Sequence, residues 1–187
     1  MASSPATTLP VHRIDVDTYD RIVESGALDG HRVELLDGVL VEVSPQSPAH
    51  AAIIEQLQRH LGSDPRLRVR VQCPLRVPPG SEPEPDVALL AERPPTGAHP
   101  STALLVVEVS VSTHTIDRNV KTVQYARARV PTYRLVDVPG RAVEVRTRPG
   151  ARGYERCDVY DEGSLVPAPL DGVNDLDVAA LLSDVKG

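Results

Sequence analysis

The sequence predicts a mixed α/β fold: a β-sheet flanked by helices, entered through an N-terminal helix and a β-hairpin. Three observations carry that expectation. Helical periodicity separates groups of strands, in the order α, ββ, α, βββ, α, ββ and a weaker tail. Two apolar runs, residues 86–90 and 104–110, do not alternate, as strands covered on both faces do not. Asp37-Gly38 stands between two short apolar runs, a strong hairpin signal.

Each element has a local reason. Asp15 or Asp17 caps a first short helix whose apolar face is Tyr19, Ile22 and Val23, and Gly26 ends it. The hairpin follows, over 32–36 and 39–43. Ser47 reads as the N-cap of the next helix, with Pro48 at its first position, His50, Ile53, Ile54, Leu57 and Leu61 at helical spacing, and Gly62 as its stop. Residues 67–77 alternate, Leu67, Val69, Val71, Cys73, Leu75 and Val77 against Arg68, Arg70, Gln72 and Arg76, as a half-buried strand with an arginine stripe. After the two apolar strands, 116–129 reads as a helix with Val120, Val123 and Ala126 facing inward, ended by Pro131. Strands are expected at 132–138, 142–147 and 154–160, and a last short helix at 176–182.

At 187 residues the chain fits one domain, 11–187, behind a disordered tail at 1–10. Phe and Trp are absent, so the core is aliphatic. Cys73 and Cys157 form no CxxC pair and no disulfide ladder, and no apolar run approaches a membrane span; a cytoplasmic location is expected, with no membrane partner. A net charge of −6 argues against a general nucleic-acid coat but leaves room for a local basic groove. The hairpin edges near the N-terminus predict a homodimer.

The chemistry starts from two acids in strands that otherwise read as core. Asp86 opens one and Glu108 nearly closes the other. An unpaired carboxylate is costly to bury, so two of them suggest a shared positive partner. Neighbouring strands lie about 5 Å apart, close enough for both acids to meet one hard cation such as Mg²⁺ or Mn²⁺. Lys121 stands out by composition: the chain has eighteen arginines and two lysines, the other being Lys186 beside the C-terminus. A compact, mobile ammonium is the one thing an arginine does not supply. Plainer readings compete. Asp86 fits a turn after Pro85, Glu108 fits a strand end reaching solvent or an arginine, and Lys121 fits an exposed i, i+4 pair with Asp117. The stripe of Arg68, Arg70 and Arg76 fits phosphate binding or a solvated strand face. Gly-rich phosphate loops, a Ser nucleophile elbow and zinc-type Cys/His spacing are absent.

Glu34-Leu-Leu-Asp-Gly38, Ser47-Pro-Ala-His50, Pro85-Asp86-Val, Glu108-Val-Ser-Val-Ser-Thr, Asp117-Arg-Asn-Val-Lys121 and the run from Tyr125 through Pro131 and Tyr133 to Asp137 occur in an order that resembles the Uma-type endonucleases. These are bacterial proteins of the restriction-endonuclease-like, PD-(D/E)xK superfamily. The resemblance spans roughly 15–182. It implies a restriction-endonuclease-like mixed sheet and a Mg²⁺- or Mn²⁺-dependent phosphodiesterase site acting on nucleic acid, most simply DNA. Asp86 and Glu108 would be the metal-ligating motif acids, Glu34 an additional acid, and His50 a residue lining the site. The motif lysine should stand two positions after Glu108, where this chain has Ser110; Lys121 of the following helix would replace it. A Trp common after the tyrosine is here Arg134. The alternative is a catalytically inactive nuclease fold kept for binding or assembly. Outside the resemblance, His50 also reads as a histidine satisfied by backbone, and Glu34 as a solvent-facing member of an alternating strand.

Overall fold

A computed structural model describes residues 10–43, 45–111 and 116–183. Of the tail expected at 1–10, residues 1–9 lie outside that range, as does Lys186. The described elements follow the expected order. Helix α1 (Val16–Glu24) leads into strands β1 (Val33–Leu36) and β2 (Val39–Glu42), then α2 (Pro48–Leu61), β3 (Arg68–Val71), β4 (Val87–Leu90) and β5 (Leu105–Ser110). A π-helical turn (Ile116–Lys121) runs into α3 (Thr122–Arg127), followed by β6 (Thr132–Asp137), β7 (Ala142–Gly150) and β8 (Gly153–Asp161). Two-residue strands β9 (Leu165–Val166) and β10 (Leu176–Asp177) and helix α4 (Val178–Leu181) complete it.

The central sheet has six strands in the order β3-β4-β5-β6-β7-β8. Every neighbouring pair is antiparallel except β5 and β6, which run parallel and are joined through α3. One face is aliphatic: Val87, Leu89, Leu105, Val107 and Val136 pack against Ile53, Ile54 and Leu57 of α2 and Leu181 of α4. The other holds Ala88, Leu90, Val106, Tyr133 and Leu135 against Tyr125 and Ala128. As expected, β4 and β5 are buried along their whole length.

Caps and turns follow the sequence signals. Asp15 caps α1 through the Thr18 amide, and Ser47 caps α2 through the His50 amide with Pro48 in the first turn. The hairpin turns on Asp37 (φ 48°) and Gly38 (φ 78°), the paired left-handed residues of a type I′ turn. A side chain at Gly38 would collide with Arg13. The Leu35↔Glu82 bridge ties the hairpin to the loop before β4.

Three expectations are corrected. Residues 67–77 are not one strand: β3 stops at Val71 because Gln72 takes a left-handed conformation (φ 49°). That kink turns the chain over, so Leu67, Val69 and Val71 pack on the aliphatic face while Leu75 and Val77 pack on the other. On the helix after β5, Val120 and Val123 are only partly buried. The inward positions are Asp117, Lys121, Thr122, Gln124, Tyr125 and Ala126. On α1, Val16 and Tyr19 are buried, whereas Val23 is exposed. Arg134, in place of the expected Trp, is fully buried on the aliphatic face; it donates to the Pro167 carbonyl at 2.6 Å, and burial lowers its pKa to about 10. Among the described residues no helix is long and apolar enough to cross a membrane.

Candidate active site

Asp86 is delivered by rigid chain. Pro83 and Pro85 flank Glu84 and favour an extended approach to β4. The β4–β5 ladder pairs Val87 with Val107, so one step further along it Asp86 lies opposite Glu108. Directly opposed residues of an antiparallel pair share a face, with Cβ atoms about 5 Å apart. That face is the one α3 covers. The Val109 amide donates to Asp86 Oδ2 at 2.8 Å, and His50 Nε2, from the first turn of α2, sits 3.0 Å from the same oxygen. Gln72, on the kink that ends β3, places Nε2 3.5 Å from Oδ1.

The third group comes from the helix. Lys121 ends the π-helical turn and is buried. Its Nζ lies 3.1 Å from Glu108 Oε1 and 3.2 Å from Glu34, which β1 carries in from the hairpin. Tyr125, one turn on, donates its hydroxyl to the same Glu108 oxygen. Tyr133 packs its ring 5.1 Å from that of Tyr125 and donates to the Asp117 carbonyl, fixing the start of the helix. The three side chains singled out in the sequence line one cleft, with the Lys121 ammonium against Glu108. The exposed Lys121–Asp117 reading and the solvent-facing Glu34 reading both fail: Lys121 and Glu34 are 7% and 4% exposed. His50 meets a carboxylate rather than backbone.

Electrostatics follow from that packing. Burial pushes the Glu108 carboxyl well above the usual range, and Asp86, Asp117 and Glu34 push the same way against Lys121. For Lys121 burial works to remove the proton, but Glu108, Glu34 and Asp117 outweigh it, so the ammonium is retained. For Asp86 burial is likewise outweighed, by the His50 hydrogen bond and the Val109 amide, leaving its pKa below the ordinary value. Burial and Glu108 hold the Tyr125 hydroxyl protonated, as a donor. Glu34, His50, Asp86, Glu108 and Lys121 line a cleft of about 150 Å³, together with Gln72, Glu84 and Asp117, while Tyr125 lies behind Glu108.

The arginine stripe is not brought to this cleft. Arg76 pairs with Asp17 and Asp20 of α1, Arg68 bonds the Pro65 and Leu67 carbonyls, and none of Arg68, Arg70 and Arg76 lines the cleft. Sequence reasoning gave no role to Glu84, Gln72 or Tyr125. Glu84 lies two residues before Asp86, and burial and Glu34 raise its pKa. The signal for Tyr125 was its i+4 spacing from Lys121, itself i+4 from Asp117: a polar stripe down one helix face.

The sequence matches the family model named Uma2, described as "Putative restriction endonuclease", over residues 16–179. The chain belongs to the Uma2 family. The fold of this Uma2 protein is that of a solved "putative nuclease belonging to DUF820" from Anabaena variabilis, with a TM-score of 0.62 at 16% identity, covering 81% of this chain and 89% of that one. Similarity at that identity establishes the shared restriction-endonuclease-like architecture. No curated protein matches the sequence.

Proposed function

We propose that this Uma2 protein is a divalent-metal-dependent endonuclease that hydrolyses DNA phosphodiester bonds. Asp86 and Glu108 would hold Mg²⁺ or Mn²⁺. The observation that carries the reading is the convergence, in one cleft, of two opposed strand carboxylates with a buried ammonium 3.1 Å from one of them. The family description supports nucleic acid as the substrate class.

The donor set fits a hard cation. Glu108 Oε2 takes no hydrogen bond among the described residues, and Asp86 Oδ1 has only the long contact to Gln72. Four buried carboxyls, Asp86, Glu108, Glu34 and Asp117, line the cleft against the single buried Lys121 ammonium. Among the described residues no group of three or more His, Cys, Asp and Glu side chains is arranged around a metal position. Two carboxylates and several retained waters are the usual protein share for Mg²⁺. Bound there, the cation would polarise a phosphoryl oxygen and acidify a water.

The chain's own groups have separable tasks. Lys121 keeps its proton, which makes it a donor and charge stabiliser for a phosphoryl oxygen or the attacking water rather than a general base. Glu34 and Tyr125 position it, Glu34 directly and Tyr125 through Glu108. His50 and the Val109 amide hold Asp86 ionised and oriented.

Asp86→Ala and Lys121→Ala test the reading against DNA with Mg²⁺ or Mn²⁺: both lose turnover while folding normally by circular dichroism. Cleavage undiminished in both variants overturns it. A nuclease fold kept for binding or assembly draws on Ser110 at the motif position and on the salt bridges that already satisfy Lys121. Calorimetric titration of Mn²⁺ with no heat in wild type, alongside absent cleavage, decides for that alternative.

A further inference from the structure

The outer edge of β8 offers a different kind of site. β8 is nine residues long and ends the six-stranded sheet; among the described residues no strand pairs with its outer side. Long edges of this kind are ordinarily blunted by proline, inward charges or a covering segment. Here Gly153–Asp161 contains no proline, Glu155, Arg156 and Cys157 are exposed, and Val159 is 66% exposed, the highest among the exposed large hydrophobics.

We propose that β8 pairs antiparallel with β8 of a second copy of this chain, about a two-fold axis through Cys157. Two independent features select that register. Cys157 is the midpoint of Gly153–Asp161, so centring there pairs every residue of the strand. Charge makes the same choice. Arg156 and Asp158 lie on one face, with Nε and Oδ2 2.6 Å apart. An axis through Cys157 sets Arg156 opposite the partner's Asp158 and Asp158 opposite the partner's Arg156, a square of alternating sign. An axis through Arg156 or Asp158 would set like charges directly opposite, which destabilises a sheet. The backbone groups that face outward alternate along the strand, and any axis through a residue aligns them with their own kind in the partner. The result is one continuous sheet made of two six-stranded halves. The hairpin edge, from which a homodimer was expected, is not the contact.

Cys157 makes the register directly readable. Opposed Cα atoms across an antiparallel pair lie about 4.5–5.5 Å apart, within disulfide reach. Mild copper-phenanthroline oxidation of the full chain should therefore give a disulfide-linked dimer that persists in Cys73→Ala and vanishes in Cys157→Ala. Equilibrium sedimentation should show a dimer of the reduced protein. Arg156→Asp should weaken it by about 10- to 100-fold, since both cross-strand pairs become repulsive. The exchange Arg156→Asp with Asp158→Arg should restore it, because alternation of sign is recovered. A monomer at all concentrations up to about 100 μM, a dimer indifferent to Arg156→Asp, or a crosslink through Cys73 would each overturn the proposal. None of these readouts depends on nuclease activity.

Discussion

Lys121 and Arg76 each sit among carboxylates drawn from distant parts of the chain, yet the two clusters are built for opposite ends. Arg76 spreads its fork over Asp17 and Asp20 of α1, with Glu82 3.7 Å away. It joins a surface helix to the loop before β4, and Asp17 stays largely in water. Lys121 has one small ammonium, buried against Glu108 and Glu34, in a cleft lined by four buried carboxyls. The guanidinium bonds both Asp20 and Asp17 through its fork and leaves Glu82 Oε2 without a hydrogen bond among the described residues. An ammonium leaves carboxylate oxygens over, and those are what a further cation or a reacting phosphate would meet.

That contrast breaks first on catalysis. Asp86→Asn is expected to lower DNA cleavage about 1,000-fold, the scale of losing a metal-polarised centre, while Arg76→Ala leaves it within about two-fold. Initial-rate assays on both variants check this, and equal losses would erase the distinction.

Stability comes next. Lys121→Met strands two buried carboxylates and should cost about 3–5 kcal/mol in urea unfolding. Adding Glu108→Gln removes one orphaned charge and should recover part of that cost, a coupling that a double-mutant cycle measures.

Glu82 gives a smaller, pH-dependent effect. Burial and Asp20 raise its pKa from 4.5 to about 7, against Arg76. The folded chain therefore holds a proton that the unfolded chain has released. This group's contribution is most favourable below about pH 4.5 and declines as pH rises to about 7. Glu82→Gln should flatten that decline, gaining about 2 kcal/mol relative to wild type at pH 8. Thermal unfolding across pH 5–8 tests the sign. Least of all, Arg76→Ala should cost about 1 kcal/mol, shrinking in high salt as exposed pairs do.

The parts of the fold that were legible in the sequence share a cause: local chemistry decided them. Asp37-Gly38 accepts left-handed backbone, Ser47-Pro48 begins a helix, and unbroken apolar runs make buried strands. What escaped was decided by partners elsewhere. The alternation through 67–77 continues across Gln72, but one left-handed residue turns the following side chains to the opposite face. The polar stripe Asp117, Lys121, Tyr125 looks like a solvent face because the sequence shows polarity and not the acids that meet it. For the same reason Asp86, Glu108 and Lys121 could be singled out as anomalies, whereas Glu84, an ordinary loop residue by pattern, and Gln72, an ordinary member of an alternating strand, could not.

Ser110 follows Glu108 by two positions in a fully buried strand, and among the described residues its hydroxyl has no hydrogen-bond partner. An amine rooted there would travel with the sheet and be in place as soon as β5 formed. Rooted at Lys121, it arrives only when a separate helix has docked. Loosening of that helix alone would disarm the cleft while leaving the strands intact, so on the proposed chemistry catalytic competence reports on late assembly of the molecule and not merely on its scaffold.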